Sequence, residues 1–174
     1  MSVALRGWLF ALSLLLANAA LAAELLPPAG LLKLDGRPAP ALRLTDMDGK
    51  AVDLAQLKGR WVLVHFWASW CGPCRREMPT LAAMQRALPP DRLNLLLVNT
   101  AETDDEVFAF LASVNMELTP LMDRDGLATK HWQPRGLPST FIVDPEGRLR
   151  YLVLGGRDWT SKPYLDFLRA LTAP

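Results

Sequence analysis

The chain has 174 residues, with 19 lysines and arginines against 18 aspartates and glutamates, a formal net charge of +1. That balance leaves no electrostatic footprint for nucleic acid or an anionic membrane surface. With two cysteines and two histidines in all, and neither His65 nor His131 at a metal-ligand spacing from the cysteines, no metal and no cofactor is expected.

Met1–Ala22 reads as an export leader. Arg6 supplies a minimal basic start, Trp8–Leu16 is an apolar run broken only by Ser13, and Ala20-Leu21-Ala22 has the small residues a signal peptidase reads. Gly7–Ala23 carries no charge and sits at the short edge of the about 17–25 residues that span a bilayer, so an uncleaved membrane anchor is the alternative. No cysteine follows the run to carry a lipid. Glu24–Pro40 holds Pro27, Pro28, Pro38 and Pro40 with Gly30 and Gly36 and reads as a tether or irregular lead-in, which sets a linker at 23–38 and a single domain at 39–174.

Ordered patterning begins at Ala41. Leu42 and Leu44 alternate with polar neighbours, Asp46-Met47-Asp48-Gly49 signals a turn, and Ala51–Asp53 returns as a second strand. Asp53 then caps a short helical turn that ends at Gly59. Trp61–Trp67, an apolar run interrupted only by His65, suits a strand covered on both faces. A helix is predicted over Gly72–Leu88, with Met78, Leu81, Ala82, Gln85 and Leu88 on one face, a kink at Pro79, and Pro89-Pro90 as the stop. Leu93–Val98 is a further buried strand. Thr103 and Glu106 form a capping box ahead of a helix whose apolar stripe is Val107, Phe110, Leu111 and Val114. Leu121–Asp123 is a short strand and Leu127–Trp132 a short helix. Thr140–Val143 and Arg148–Leu154 flank the hairpin signal Asp144-Pro-Glu-Gly147, and Tyr164–Leu171 closes the chain as a helix. This order describes an α/β domain: a central mixed sheet with helices on both faces, parallel in its first half and antiparallel in its second.

Both cysteines lie in Trp70-Cys-Gly-Pro-Cys74, where a strand gives way to a helix. As a staple their bridge would be poor, since a loop this short is worth about 2 kcal/mol against about 4.7 for 100 residues. As chemistry the placement is apt. Cys71 at the helix cap faces unpaired amides and the positive end of the helix, which lower a thiol from about 8.5 toward about 7 or below. A drop of about 1.5 units favours the thiolate by about 2 kcal/mol. Cys71 is thereby the nucleophile, and Cys74, one turn inside, the resolving thiol. Pro73 belongs in the first turn, where its missing N–H costs nothing, and Gly72 keeps bulk away from the approach. Trp70 either shelters the sulfurs or packs the loop. Arg75 either adds a weak positive field or is only a surface residue.

The segment Val-His-Phe-Trp-Ala-Ser-Trp-Cys-Gly-Pro-Cys resembles the active site of thioredoxins. "LTDMDGKAVDLAQLKG", "CRREMP" and "GLPSTFIVDPEGRLRY" are more specifically similar to the TlpA/ResA type of exported thioredoxin-like reductase, over about Pro38–Leu171. The resemblance implies a thioredoxin fold with an added N-terminal β-hairpin, attack by Cys71, resolution by Cys74, and a cis peptide at Leu137-Pro138 facing the cysteines. Backbone beside Pro138 would then hold the partner's extended chain. His65 stands where cytosolic thioredoxins carry a buried aspartate; it either moves a proton for Cys74 or is a hydrogen-bonded core residue.

The direction of electron flow follows from the dipeptide. Gly72-Pro73 matches thioredoxin, near about −270 mV, and no histidine stands between the cysteines as in DsbA-like oxidants near about −120 mV. A periplasmic protein-disulfide reductase is expected, with clients among exported disulfide-containing proteins such as apocytochrome c, a membrane protein as electron donor, and a monomeric state. A disulfide-forming oxidant, a thiol peroxidase and a copper or zinc metallochaperone are the competing functions. Client choice is expected to depend on the shape around Trp70, Trp132 and the Leu137-Pro138 loop.

Overall fold

The computed structural model describes residues 27–114 and 118–173. The leader, residues 1–22, and the start of the 23–38 linker lie outside the described residues. Trp61–Trp67 forms β4, with six of its seven residues buried, at the centre of an eight-stranded sheet. On one side it pairs in parallel with β5 (Leu93–Thr100), which pairs in parallel with β6 (Leu121–Asp123). The antiparallel hairpin β2 (Arg43–Asp46) and β3 (Ala51–Asp53) continues that edge through β6. On the other side β4 pairs antiparallel with β7 (Ser139–Val143), then β8 (Leu149–Leu154), then β1 (Leu31–Lys33). This is the mixed sheet of a thioredoxin fold with an N-terminal hairpin.

Alternation along β4 divides the core. Leu63 and Trp67 point to the face covered by α1 (Gly72–Ala87), α2 (Asp104–Val114) and α4 (Lys162–Leu171), whose Met78, Leu81, Val107, Phe110, Phe167 and Leu168 complete one apolar cluster. Val62, Val64 and Phe66 point to the opposite face, where Leu42, Leu54 and Trp132 of α3 (Leu127–Trp132) close a second.

Both hairpin signals are built alike. Asp46 Oδ1 accepts from the amides of Asp48 and Lys50, Asp144 Oδ1 from those of Glu146 and Arg148, and Gly49 and Gly147 both take φ +81. An L side chain adopts that conformation at a cost of roughly 1–2 kcal/mol, so the glycine fixes where each hairpin turns. Asp53 caps the 3-10 turn Leu54–Leu57, and Thr103 with Glu106 caps α2 reciprocally.

Two expectations are corrected. Within the stretch read as a tether, Leu31–Lys33 is strand β1, held by register to Val153, Leu152 and Tyr151. Three residues in a proline-rich setting carry no alternation of their own; the edge of β8 orders them. On α1 the buried face is Cys74, Glu77, Met78, Leu81 and Met84, followed by buried Leu88 at the C-cap, while Gln85 is exposed and Ala82 half-buried. A charged residue inside the stripe was hidden by the ordinary exposure of glutamate.

Candidate active site

At the end of β4 the chain turns through Ala68–Trp70 and enters α1 at Cys71. Cys71 is the N-cap, with extended backbone, and its Sγ lies 3.3 Å from the amide nitrogen of Cys74. The two cysteines form a disulfide with their Cα atoms 5.3 Å apart. The bridge is asymmetric, since Cys71 is 5% exposed and Cys74 fully buried. Pro73 occupies the first turn as expected. A Cβ on Gly72 would meet only Arg76 Nη1 at 3.5 Å, an ordinary contact, so nothing inside the protein demands glycine there.

The Leu137-Pro138 peptide is cis. Because Phe66 pairs with Ser139 and His65 with Thr140, Pro138 lies just past the same end of β4 that leads to the cysteines. Gly155 N donates to Pro138 O, and the next residue, Gly156, comes so close to the motif that an added Cβ would sit 3.3 Å from Pro73 O. The Gly155–Arg157 loop therefore wedges between the cis proline and the helix start. Sequence reading missed it, although the Gly-Gly pair after β8 was the available signal. Beside the loop opens a cleft of about 490 Å³ lined by Pro73, Arg76, Glu77, Thr80, Arg157 and Asp158.

Three aromatic and basic neighbours resolve differently. Trp70 is 70% exposed, so its indole is a surface beside the disulfide and does not pack the loop. Trp132, read as shaping client choice, is buried against Phe66 and Phe141, with its indole N–H donating to Ala41 O. It belongs to the core. Arg75 is exposed, yet its guanidinium stacks 5.0 Å from the Phe110 ring centroid and donates to Ser69 O. A second holder of the same loop is Glu102, buried beside β5: its carboxylate accepts from the Ser69 amide at 2.7 Å, the Ser69 hydroxyl and Asn99 Nδ2 at 2.6 Å. Three donors on one buried carboxylate tie the approach to Cys71 onto the neighbouring strand.

Beneath the cysteines lies a pair that no spacing rule announces. His65 is wholly buried on β4, and Glu77 is 3% exposed one turn beyond Cys74 on α1. His65 Nε2 is 3.3 Å from Glu77 Oε1, and His65 Nδ1 is 2.8 Å from Thr140 Oγ1 on β7. Glu77 Oε2 accepts from the Arg157 amide at 2.9 Å and the Trp159 indole at 3.1 Å. Burial pushes the Glu77 carboxyl up to about 7, against those two donors and the Arg157 charge, which pull it down. Burial also lowers His65 to about 3, so at neutral pH this is no ion pair: the imidazole is uncharged. Among the described residues no three of His, Cys, Asp or Glu gather as a metal site.

Residues 36–152 match the model of the AhpC/TSA family. The chain belongs to the AhpC/TSA family. Within it the chain is of the ResA type. It is 31% identical over 121 residues to the thiol-disulfide oxidoreductase ResA of Bacillus subtilis, covering 70% of this chain and 68% of that protein. It is 36% identical over 125 residues to the thiol:disulfide interchange protein HelX of Rhodobacter capsulatus, covering 70% and 69%. Among solved structures, a thiol:disulfide interchange protein described as DsbE from Chlorobium tepidum superposes with a TM-score of 0.71 at 29% identity, covering 79% of this chain and 97% of that one. This AhpC/TSA-family protein is a thiol:disulfide oxidoreductase of the ResA/DsbE type, with its cysteine pair at bonding distance.

Proposed function

We propose that the protein is an exported, periplasmic reductase of disulfides in other exported proteins, apocytochrome c before haem attachment among them. Cys71 is its nucleophile and Cys74 its resolving thiol. The observation that carries the reading is the Cys71 sulfur at the cap of α1, 3.3 Å from the Cys74 amide nitrogen, in a residue that keeps 5% exposure while Cys74 has none. In the reduced protein the Cys71 thiolate attacks a client disulfide. The client S–S bond breaks, a Cys71–client disulfide forms, and the departing client sulfur takes a proton. Cys74, losing its proton, then attacks the Cys71 sulfur. The Cys71–Cys74 bond forms, and the client's second sulfur leaves with the electron pair, so two electrons pass from the protein to the client. A dithiol of a membrane electron donor returns them.

The uncharged N-terminal run supports export, with the leader cleaved or kept as an anchor, and exposed Trp70 with the backbone beside the buried Pro138 supplies the surface on which an extended client chain would lie. The decisive measurement is the reduction potential of the full chain against a glutathione or dithiothreitol series. A value below about −180 mV is expected, and a higher one turns the assignment toward a disulfide-forming oxidant. Cys74→Ser should accumulate Cys71–client mixed disulfides in an extract, and Cys71→Ser should accumulate none.

A further inference from the structure

The cleft of about 490 Å³ beside the disulfide shares a wall with the motif, since Pro73 lines it and stands between the two cysteines. Two guanidiniums reach it from different elements. Arg76, exposed on α1, turns back toward the motif, so that its Nη1 lies 3.5 Å from the position a Cβ on Gly72 would take. Arg157 comes from the loop after β8, and its guanidinium occupies room that Gly30 leaves open: a Cβ there would sit 2.5 Å from Nη2 and 3.0 Å from Cζ. Nη1 of Arg157 donates to Gly156 O and the buried Nε has no acceptor, so the fork keeps donor capacity. Among the described residues neither arginine forms an ion pair. The acids at hand are engaged elsewhere. Asp158 Oδ1 accepts from the Thr160 amide and hydroxyl, and buried Glu77 from the Arg157 amide and the Trp159 indole. The cleft thus presents two positive charges against one exposed carboxylate, and a guanidinium matches a carboxylate in both charge and fork geometry.

We infer that this cleft is a subsite for a client carboxylate: an aspartate or glutamate a few residues from the client's cysteine is bound by Arg76 and Arg157 while that cysteine meets Cys71, which deepens and rests on the reading of the protein as a reductase of client disulfides. An extended chain advances about 3.3–3.6 Å per residue, so a side chain one to three positions from a cysteine seated at Cys71 comes level with the wall at Pro73. A lysine in the same place meets like charge, so the pair also selects against basic neighbours.

The test uses the reduced full-length protein and short peptides whose single cysteine is a pyridyl disulfide, with Glu, Gln or Lys one to three residues to either side. Cys71 attacks the peptide sulfur, the uncharged thiopyridone leaves with the electron pair and a proton, and Cys74 then displaces the peptide thiol. At low salt the best-placed Glu peptide should react about fivefold faster than its Gln counterpart, and the Lys peptide slower than both. The preference should fall toward unity at about 1 M salt, where the screening length is about 3 Å. Arg76→Gln and Arg157→Gln should each lower the Glu-to-Gln ratio by about twofold or more. The ratio is read because a charge lost near Cys71 also alters its thiolate toward every peptide. Arg86→Gln, in the last turn of α1, makes the same change in net charge and should leave the ratio unchanged. Equal rates for Glu and Gln at every position, or a ratio that Arg86→Gln lowers as far as the cleft variants do, overturns the inference. So does a preference for oxidised glutathione over its esters with none among the peptides, which assigns the arginines to a small acidic disulfide. If no peptide is reduced, or Cys71→Ser reduces them as fast, the parent reading falls instead. The subsite is then decided on the oxidised protein with cysteine-free peptides: shifts of the arginine Nε–H resonances with the Glu peptide and not the Gln peptide uphold it, and equal shifts refute it.

Discussion

At the scale of single residues, the buried His65 and Glu77 write a signature into stability. Glu77 has a folded pKa of about 7 against 4.5, so its contribution is present below pH 4.5 and lost as pH rises toward 7. His65 has a folded pKa of about 3 against 6.5, so its contribution is present above pH 6.5 and lost as pH falls toward 3. Each acts with a slope of about 1.4 kcal/mol per pH unit, in opposite senses. Between pH 4.5 and 6.5 they cancel. Urea midpoints of the oxidised protein should therefore be flat across that window through this pair and fall below it. Glu77→Gln should turn the flat window into a rise with pH, and His65→Asn should turn it into a decline. Ala101 offers a simpler case. It holds φ +54 just before Glu102, with its amide donating to Asp123 O. Ala101→Gly should raise stability by about 1 kcal/mol, read as a melting temperature higher by about 2–4 °C. Neither feature was legible beforehand. Glu77 follows Cys74 by three positions and adjoins Met78, which placed it on the inner face of α1, but the usual exposure of a carboxylate argued the other way.

Among elements, the sequence was most legible where one segment carries its own pattern. Trp61–Trp67, Leu121–Asp123 and Leu127–Trp132 occupy the spans their apolar runs and turn residues predict. It was least legible where contact between segments decides. Gly155–Arg157 reads as a plain exit from β8, yet Gly156 abuts Pro73. Gly156→Ala would put a methyl 3.3 Å from a backbone oxygen. We expect a loss of about 1–3 kcal/mol in denaturant unfolding of the oxidised protein, with slower exchange at Cys71, because the yielding atom belongs to the motif. The short helix α3 depends likewise on a residue outside it. Buried Asp123 accepts from the amides of Ala128 and Thr129 and from the Thr129 hydroxyl. Asp123→Ala should cost about 2 kcal/mol, while Asp123→Asn, which keeps an acceptor, should recover about half of it.

For the molecule as a whole, element order was enough to place a central mixed sheet with helices on both faces, and the thioredoxin fold came from the resemblance carried by the Trp70–Cys74 segment. The placement of β1 came only from its pairing with β8. That pairing and the β2–β3 hairpin put three-residue strands at the two margins of an otherwise broad sheet. A margin so brief gives a second molecule few open amides and carbonyls on which to continue the ladder. Concentrated solutions should therefore stay free of sheet-extended oligomers, which sedimentation at rising concentration would reveal as a constant mass.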